Sequence, residues 1–545
     1  MATDIQEALT AAGAAPLVSK RISPVLLEYQ RRYAPLVASL PSTKWDSTVY
    51  YFNKRVTLPG GGFVTDGGAY NQGTPSTSQY AQENFQIRLL QSIGAVTGYA
   101  QAVTRNLIGD LRAREIEGAA RGLYWDMETA LLWGAEAPSN PGPTPQFDGL
   151  DVICSSFTNG TAGAGTYGYG VSPSAGVGVG GIDNWNGANG PSGWGGWNPS
   201  TNNMTNKWVD GVDQNAIDMG GSSLSLGSLD LVIDLVESNV AEPVENSEWM
   251  FLMSPSATSR LSQLLVNQQR FVDTVEIAAG LIVPTYRGIP IVKTSFLSPR
   301  TNVFGSPQNP IGTITAAASY AGVTGVLPTG AYAYQISAVM TRFGEIQASA
   351  IASGTSASST NTLKIPLPGT VTGPEGSTPT HYKVYRTGNP LSASASTVSL
   401  VGMVDAHYYD TNGVYRTTTQ IIDGGTAGLA PFDGTNAPNS LAIGSFYPNG
   451  NMYPLTNGAQ NIYLMSRDPN FIVRPFVREM QPVNIYPTTA SPDSLPFAFV
   501  ADTTLAVRAP KYIGRIANVV ASLDKTAGNG ILPTTTSYVP NFIVD

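Results

Sequence analysis

The segment GDLRAREIEGAARGLYWDMETALLWG, residues 109–134, decides how the rest of the sequence is interpreted. It carries eight charged side chains in 26 positions, whereas charged residues make up only 12% of the 545-residue chain. Around and within it, apolar residues recur at steps of mostly three to five, the spacing of one helix face: Val103, Leu107, Leu111, Ile116, Leu123, Met127 and Leu131. We therefore predict one long helix from about Thr97 to Trp133.

The charged side of this helix predicts a polar surface rather than an active site. Two acid-before-base pairs at i,i+4 each favour the helix by a few tenths of a kcal/mol: Asp110 with Arg114, and Glu117 with Arg121. The remaining carboxylates, Asp126 and Glu128, are two positions apart and do not share a helix face. We expect the carboxylates to be solvated or to face a partner. The predicted polar face consists of Arg105, Asp110, Arg112, Arg114, Glu117 and Arg121.

Length and composition describe a folded chain of two to four domains. The chain is 42% hydrophobic, and its formal net charge of −8 argues against a dedicated nucleic-acid binder. Cys154 is the only cysteine, which excludes an intrachain disulfide and a cysteine-based zinc site. The N-terminal sequence does not resemble a secretory signal, and no apolar run approaches the roughly 20 residues that span a bilayer. We expect a protein made in a cytoplasm, with no membrane partner.

A hairpin is predicted before the helix. STVYYFNKRVTLPGGG, residues 47–62, is β-branched and aromatic and ends in glycines. NFQIRLLQSIGAVTG, residues 84–98, is predicted as a return strand with Phe85, Ile87 and Leu89 on one face and Gln86 and Arg88 on the other. A two-stranded arm has almost no core of its own, so its apolar faces and open edges require a partner surface. The residues expected to meet that partner are Lys54, Arg55, Phe85, Ile87 and Arg88.

The second half of the chain alternates helix and strand signals and is interrupted by one all-β stretch. SLDLVIDLVESNVAE, residues 228–242, predicts a helix, and EWMFLM, residues 248–253, predicts a strand. Residues 311–431 contain several short strands with turn-rich spacers, which favours an immunoglobulin-like sandwich inserted between two α/β stretches. The fold class predicted is α+β with an all-β insertion.

The sequence offers no convincing catalytic or cofactor motif. GAGTYG, residues 163–168, matches G-x-G-x-x-G, but the glycine-rich residues after it cannot form the helix that dinucleotide binding needs. His381 and His407 are the only histidines, and no G-x-S-x-G elbow accompanies them. We therefore predict no enzyme activity, no catalytic residues, no cofactor and no metal.

The order of these pieces resembles the major capsid proteins of tailed double-stranded-DNA bacteriophages, a fold called the Hong Kong ninety-seven type. The hairpin is similar to that family's extended loop, and TRNLIGDLRAREIEGAARGLYWDMETALLWG, residues 104–134, is similar to its spine helix. EWMFLMSPSATSRLSQLL, residues 248–265, resembles the axial domain, and TTLAVRAPKYIGRIANVV, residues 503–520, resembles the closing strands. The insertion is similar to fibronectin-III-like and immunoglobulin-like domains displayed on phage capsids.

The resemblance divides the chain into eight parts. They are an N-terminal arm (1–45), an extended hairpin loop (46–96), the spine helix and peripheral domain (97–157), a Gly/Asn/Trp-rich insertion or loop (158–222), a first axial part (223–310), the immunoglobulin-like insertion (311–431), a second axial part (432–485), and the closing strands of the peripheral domain with the C-terminus (486–545).

The resemblance implies a structural protein whose copies assemble into an icosahedral capsid shell around packaged DNA, through contacts of the arm, hairpin and peripheral domain. It implies a homo-oligomer in the virion, assembled in the host cytoplasm, with a portal, a possible separate scaffold or decoration protein, and non-specific contact with double-stranded DNA. Two alternatives stay open: another phage structural protein of the tail or baseplate, and a polysaccharide-active enzyme carrying an immunoglobulin-like module.

Overall fold

The structure is a computed structural model that describes residues 34–521 with gaps. The described part omits residues 56–79, 105–109, 136–145, 155–196, 199–202, 205–214, 246–247, 268–273, 279–280, 298–313, 315–316, 321–324, 326, 347, 357–361, 368–370, 372–376, 388–397, 411, 425–428, 436–453, 456–458 and 485–492. The G-x-G-x-x-G sequence and Arg105 therefore lie outside the described residues.

The N-terminal half contains all six described α-helices. Its elements are α1 (Pro35–Ser39), β1 (Ser42–Lys44), β2 (Val49–Arg55), β3 (Tyr80–Gln86), β4 (Arg88–Thr97), α2 (Gly98–Thr104), α3 (Leu111–Trp133), α4 (Leu150–Ile153), β5 (Trp197–Asn198), β6 (Asn203–Met204), β7 (Asn215–Asp218), α5 (Leu226–Val240), β8 (Trp249–Met253), α6 (Pro255–Asn267), β9 (Thr274–Ala278), β10 (Leu281–Tyr286) and β11 (Ile289–Lys293).

The remaining described elements are strands, apart from 3-10 turns. They are β12 (Ala318–Tyr320), β13 (Gly330–Met340), β14 (Gly344–Glu345), β15 (Ala352–Ser356), β16 (Thr362–Pro366), β17 (Pro379–Arg386), β18 (Ser399–Asp405), β19 (His407–Tyr409), β20 (Tyr415–Thr417), β21 (Gln420–Asp423), β22 (Leu429–Phe432), β23 (Ala459–Ser466), β24 (Ile472–Phe476), β25 (Gln481–Asn484), β26 (Ser494–Thr503), β27 (Ala506–Val507) and β28 (Ile513–Val520). The chain is α+β, as the sequence predicts.

Two sheets form the body. In the six-stranded sheet the order is β1-β24-β26-β25, with β27 joined to β24 and β4 joined to β26. Its longest pairing is antiparallel and joins Arg88–Thr97 to Ser494–Thr503, residue for residue. The seven-stranded sheet has the order β7-β28-β23-β8-β11-β10-β9 and mixes parallel with antiparallel neighbours. Both sheets are assembled from chain segments far apart in sequence, which makes the body one cooperative unit.

Helix α3 packs its apolar side against the body. Leu123, Met127 and Leu131 are buried, and they belong to one apolar cluster with Val473 of β24 and Phe499 of β26. The i, i+4, i+8 spacing puts these three side chains on one helix face. The predicted apolar stripe is therefore confirmed over the C-terminal half of the helix.

The predicted single helix from Thr97 to Trp133 is corrected at its start. The described helical residues form α2, which ends at Thr104, and α3, which begins after Asp110. The Asp110 carboxylate accepts a hydrogen bond from the Ala113 backbone N–H (3.2 Å), so this residue is the N-cap of α3 rather than an interior position. Asp110 therefore caps backbone amides, the role for which short acidic side chains are favoured.

The insertion is built from two antiparallel sheets. Strands β14-β13-β17-β18, with β15 on β13, form one sheet, and β12-β16-β21-β22 form the other. Side chains of both sheets share one apolar cluster, which includes Tyr334, Ile336, Val384, Leu363 and Ile421. Two packed sheets agree with the predicted sandwich, whereas the immunoglobulin-like assignment itself stays a prediction.

Candidate interaction surfaces

The root of the hairpin is fixed inside the chain. Strands β2 and β3 pair antiparallel from Val49–Gln86 out to Arg55–Tyr80 and form a two-stranded sheet of their own. Tyr50 is buried beneath the Trp45 ring, with 4.7 Å between ring centroids, and receives a hydrogen bond from Arg508. The described part of the hairpin is thus anchored at its root, with backbone pairing continuing to Arg55 and Tyr80.

The five residues predicted to contact a partner lie in three different environments. Lys54 and Arg55 lie at the outer end of β2, opposite Ala81 and Tyr80. Ile87 and Arg88 are half-buried where the chain leaves the hairpin. Phe85 is corrected to a core residue, because its ring stacks on Phe52 at 5.8 Å between centroids and is only 5% exposed.

The predicted return strand is two separate strands, β3 and β4. Because of this break, Leu89 and Ile93 face outward on β4, whereas Phe85 on β3 is buried. Ile87 belongs to neither β3 nor β4; its N–H donates to the Thr48 carbonyl (2.9 Å), and from Arg88 onward the chain pairs with β26 instead. Residues of β4 then alternate in exposure, with odd positions outward. Leu89 and Ile93 are consequently 56% and 62% exposed, although the alternation in sequence predicted Leu89 on the same face as Phe85.

These residues begin an exposed apolar surface on the six-stranded sheet. Ile93 is opposite Ala498, which is opposite Val483 on the next strand, so the three side chains share one face. Leu89, Ile93 and Val483 are all exposed, and we call them the outer apolar strip. Helix α2, which follows β4 directly, adds Tyr99 and Val103 as further exposed apolar side chains.

The N-terminal half of α3 carries the predicted polar face. Arg114 and Glu117 are exposed, Arg112 and Arg121 are half-buried, and the predicted pair of Glu117 and Arg121 forms. Arg112 also places its Nη2 atom 3.5 Å from the Pro496 carbonyl on β26. The face is polar and accessible, and its contact with a partner stays a prediction.

Glu128 is a buried carboxylate that the sequence analysis wrongly expected on a solvated or partner-facing surface. It is 0% exposed, and its two oxygens accept hydrogen bonds from the N–H groups of Leu36 (3.1 Å) and Val37 (2.9 Å) and from the Thr294 hydroxyl (3.0 Å). Burial raises the pKa of Glu128 from 4.5 to about 7, against the lowering effect of these bonds. One side chain of α3 therefore fixes α1, the first described part of the N-terminal arm.

We predict that Glu128 makes stability fall as the pH rises from about 5 to 7. A carboxyl group whose pKa is higher in the folded chain binds protons more tightly there, so its contribution to the free energy of unfolding is complete below pH 4.5 and is lost as the pH approaches 7. The expected slope is about 1.4 kcal/mol per pH unit. Denaturant unfolding at several pH values should show this slope in the wild type and lose it in Glu128→Gln.

The matched control is Glu115→Gln, which neutralises an exposed glutamate on the same helix. It should keep the wild-type pH dependence. Equal slopes for the wild type and Glu128→Gln would show that Glu128 is not the titrating group.

Asp126, the second carboxylate that the sequence analysis expected to be solvated or partner-facing, is 38% exposed and also pairs with the insertion. It accepts hydrogen bonds from Nε (2.8 Å) and Nη2 (3.3 Å) of Arg342, which lies in the turn between β13 and β14. Gly344 in the same turn has φ +76°, and an added Cβ would lie 2.2 Å from Nε1 of Trp133. This close approach requires glycine and seats the turn directly on α3.

A buried ionic cluster makes a second connection between insertion and body. Lys383 of β17 pairs with Asp151 of α4 and with Glu345 of β14 (2.6 Å), and Arg515 of β28 pairs with Asp151 (2.9 Å). All four side chains are at most 1% exposed. Burial alone would raise the pKa of Asp151, but Lys383 and Arg515 more than offset it, and the pKa is lowered. The positive charges of two cations and the negative charges of two carboxylates therefore neutralise each other inside the fold.

We predict that Lys383→Met lowers the free energy of unfolding by about 3–5 kcal/mol, because it leaves two buried carboxylates with one cation. Denaturant unfolding followed by fluorescence measures this loss. Lys293→Met, which removes an exposed lysine from β11, should stay within about 0.5 kcal/mol of the wild type. A loss of similar size in both variants would contradict the assigned role.

Cys154 and His381, which could support catalysis, are buried in the packing of the fold, whereas His407 is half-buried. Burial raises the pKa of the Cys154 thiol to about 12, which leaves it protonated and unreactive at neutral pH. His381 is buried in the insertion, and burial together with Lys383 lowers its pKa to about 3. Within the described ranges, no group of three His, Cys, Asp or Glu side chains is placed to hold a metal ion.

No helix in the described part of the chain has the length and apolar character required to cross a membrane.

Comparison with known proteins gives similarity to solved structures alone. No protein-family model matches the chain, and no curated protein matches it in sequence. The chain is similar to the encapsulin of a holo complex from Synechococcus elongatus (9% identity, 95% of this chain and 98% of that one, TM-score 0.39). It is also similar to the capsid of a native GTA particle (10%, 94% and 99%, 0.42) and to the capsid of cyanophage A-1(L) (10%, 94% and 100%, 0.42).

Proposed function

We propose that the chain is a capsid protein whose copies assemble into a closed shell. The observation that carries the proposal is the outer apolar strip beside the hairpin, whose described strands form a two-stranded sheet of their own. Elsewhere the described chain buries most of its large apolar side chains, whereas Leu89 and Ile93 project from the same face of β4. Exposed apolar side chains grouped on one face of a folded chain mark a candidate interaction site.

A second copy is the partner that this subunit fits best. The hairpin is a two-stranded element with open edges and little core of its own, and such elements gain stability by lying on another surface. The outer apolar strip offers a surface of the required kind on every copy. A hairpin of one subunit on the strip of the next is a heterologous contact, which closes into rings when the rotation between subunits closes.

The proposal also includes the type of particle, its place of assembly and further contacts of the chain. The shell is icosahedral, belongs to a tailed-phage virion and assembles in the host cytoplasm with a portal and, where one is used, a separate scaffold or decoration protein. The polar face of α3, with Arg112 and Arg114, contacts packaged double-stranded DNA without reading its sequence. Lys54 and Arg55 meet acidic surface on a neighbouring copy.

Electron microscopy of the purified protein tests the proposal directly. Closed spheres or capsomer rings are the expected particles. Tubes or stacked discs would favour a tail or baseplate protein instead, and a chain that remains monomeric at all concentrations would remove the basis for a structural role.

We predict that Ile93→Asp reduces particle formation by at least about tenfold, because a carboxylate on the strip must be desolvated when a second copy covers it. Sedimentation velocity measures the fraction of assembled protein, and circular dichroism checks that the subunit is folded. Ile351→Asp, which changes a 48%-exposed isoleucine of the insertion, is the matched control and should assemble normally. Equal assembly of the two variants would count against the strip as an interface.

A further inference from the structure

A cavity of about 380 Å³ lies between α1, α3 and the end of β24. Val37 of α1, Tyr124 and Trp125 of α3, and Met480 form apolar and aromatic parts of its wall, and Arg474 of β24 supplies a guanidinium. The cavity therefore combines a cation with surfaces that accept an aliphatic or aromatic stem. This combination suits a carboxylate carried on a carbon chain better than it suits a fully hydrated ion.

Arg474 is a buried cation without a carboxylate partner among the described residues. The residue is 7% exposed. Its Nη1 atom donates to the Met127 sulfur at 3.6 Å, a weak acceptor, and its Nε, like those of Arg386 and Arg515, has no acceptor in the described part of the chain. The exposed carboxylate of Glu479 also lines the cavity, but within the described residues it forms no ion pair with Arg474. Burial lowers the pKa of Arg474 more than the charge of Glu479 raises it, which agrees with incomplete compensation of the cation.

The other deeply buried cations of the structure are treated differently. Lys383 and Arg515 share Asp151, and Arg386 pairs with Asp423 at 2.6 Å. A buried charge without a partner costs several kcal/mol relative to its hydrated state. Lys383, Arg386 and Arg515 thus have carboxylate partners within the insertion and the body, whereas Arg474 has no such ion pair among the described residues. The partner expected there comes from outside the described chain.

We infer that the cavity is a socket for a carboxylate side chain of a second copy of this chain. The inference rests on the proposed function and names one contact by which copies recognise each other. Charge complementarity favours this occupant, because the chain has a formal net charge of −8 and each copy presents exposed carboxylates such as Asp46 and Glu115. Desolvated arginines in aromatic-lined pockets are typical energetic centres of protein interfaces.

The location of the socket fits an interface between copies. Its wall includes Ala34 and Val37, at the point where the N-terminal arm joins the body. The opposite wall is α3, whose exposed neighbouring turn carries Glu117 and Arg121. Arg121 also borders the cavity but already has Glu117 as an anionic partner, so Arg474 is the group that a new carboxylate would neutralise.

The test uses the full chain and compares Arg474→Met, Arg474→Lys and Arg478→Met. Arg474→Met removes the charge and keeps an unbranched apolar side chain. Arg474→Lys keeps the charge. Arg478→Met is the matched control, because Arg478 lies four residues later, is exposed and is already paired with Asp502. Sedimentation velocity gives the yield of particles, and chemical denaturation of unassembled subunits gives the unfolding midpoint.

A socket predicts opposite effects on the two measurements. Arg474→Met should lower the particle yield by at least about tenfold, whereas its unfolding midpoint should be unchanged or higher, because an uncompensated buried charge is gone. Arg474→Lys should recover more than half of the lost yield, and Arg478→Met should assemble as the wild type does.

Two results would overturn the inference while leaving the proposed function intact. In the first, Arg474→Met assembles like the wild type. In the second, its unfolding midpoint falls, which would mean that the partner of Arg474 belongs to the same chain. Failure of the wild type itself to form particles would refute the proposed function, and the inference with it.

Discussion

Helix α3 is the element on which the positions of the other parts depend, and its polar contacts fix them. Glu128 accepts two backbone N–H groups of α1, and Asp126 holds the Arg342 turn of the insertion. The indole N–H of Trp133 donates to the Phe296 carbonyl (3.0 Å), just after β11 of the seven-stranded sheet. The Glu128 and Trp133 contacts depend on exclusion of water, because a buried polar group that loses its partner bears the full desolvation penalty, whereas the Asp126–Arg342 pair is partly exposed to solvent. A shift of the helix would therefore break the arm, the insertion and the sheet contacts together.

The sequence predicted those parts of the structure that depend on neighbouring residues in the chain. The apolar stripe of α3, the two strands of the hairpin and the all-β character of the insertion all follow from side-chain periodicity. The single-helix prediction failed at Asp110 because a short acidic residue can either continue a helix or cap a new one, and periodicity does not distinguish the two. Leu89 was assigned to the wrong face because the chain changes partner at Ile87, and the choice of β26, some 400 residues later, leaves no mark near residue 87.

The buried charges were beyond sequence analysis for a related reason. Glu128 and Leu36 are 92 positions apart, and Asp151 and Lys383 are 232 apart. Glutamate, aspartate and lysine are common on protein surfaces, and Glu128, Asp151 and Lys383 are core residues only because the fold supplies a distant partner for each. Glu115 and Glu128 lie on the same helix with the same chemistry, yet one is exposed and the other is inaccessible. A charge-rich segment in a charge-poor chain thus indicated an important helix, but it did not reveal which charges face inward.

The buried ionic cluster and the proposed contact sites have different roles in the subunit. Within the described chain, Asp151, Lys383, Glu345 and Arg515 balance one another inside and tie the insertion to the body. The features that we propose for contact between copies are of two kinds, exposed apolar side chains at Leu89 and Ile93 and the buried cation Arg474, and they lie on different elements. Apolar contact is tolerant of small changes in angle, whereas an arginine–carboxylate pair is directional. In the proposed shell, where a subunit meets its neighbours at slightly different angles, the first kind of contact would supply adhesion and the second would set the register.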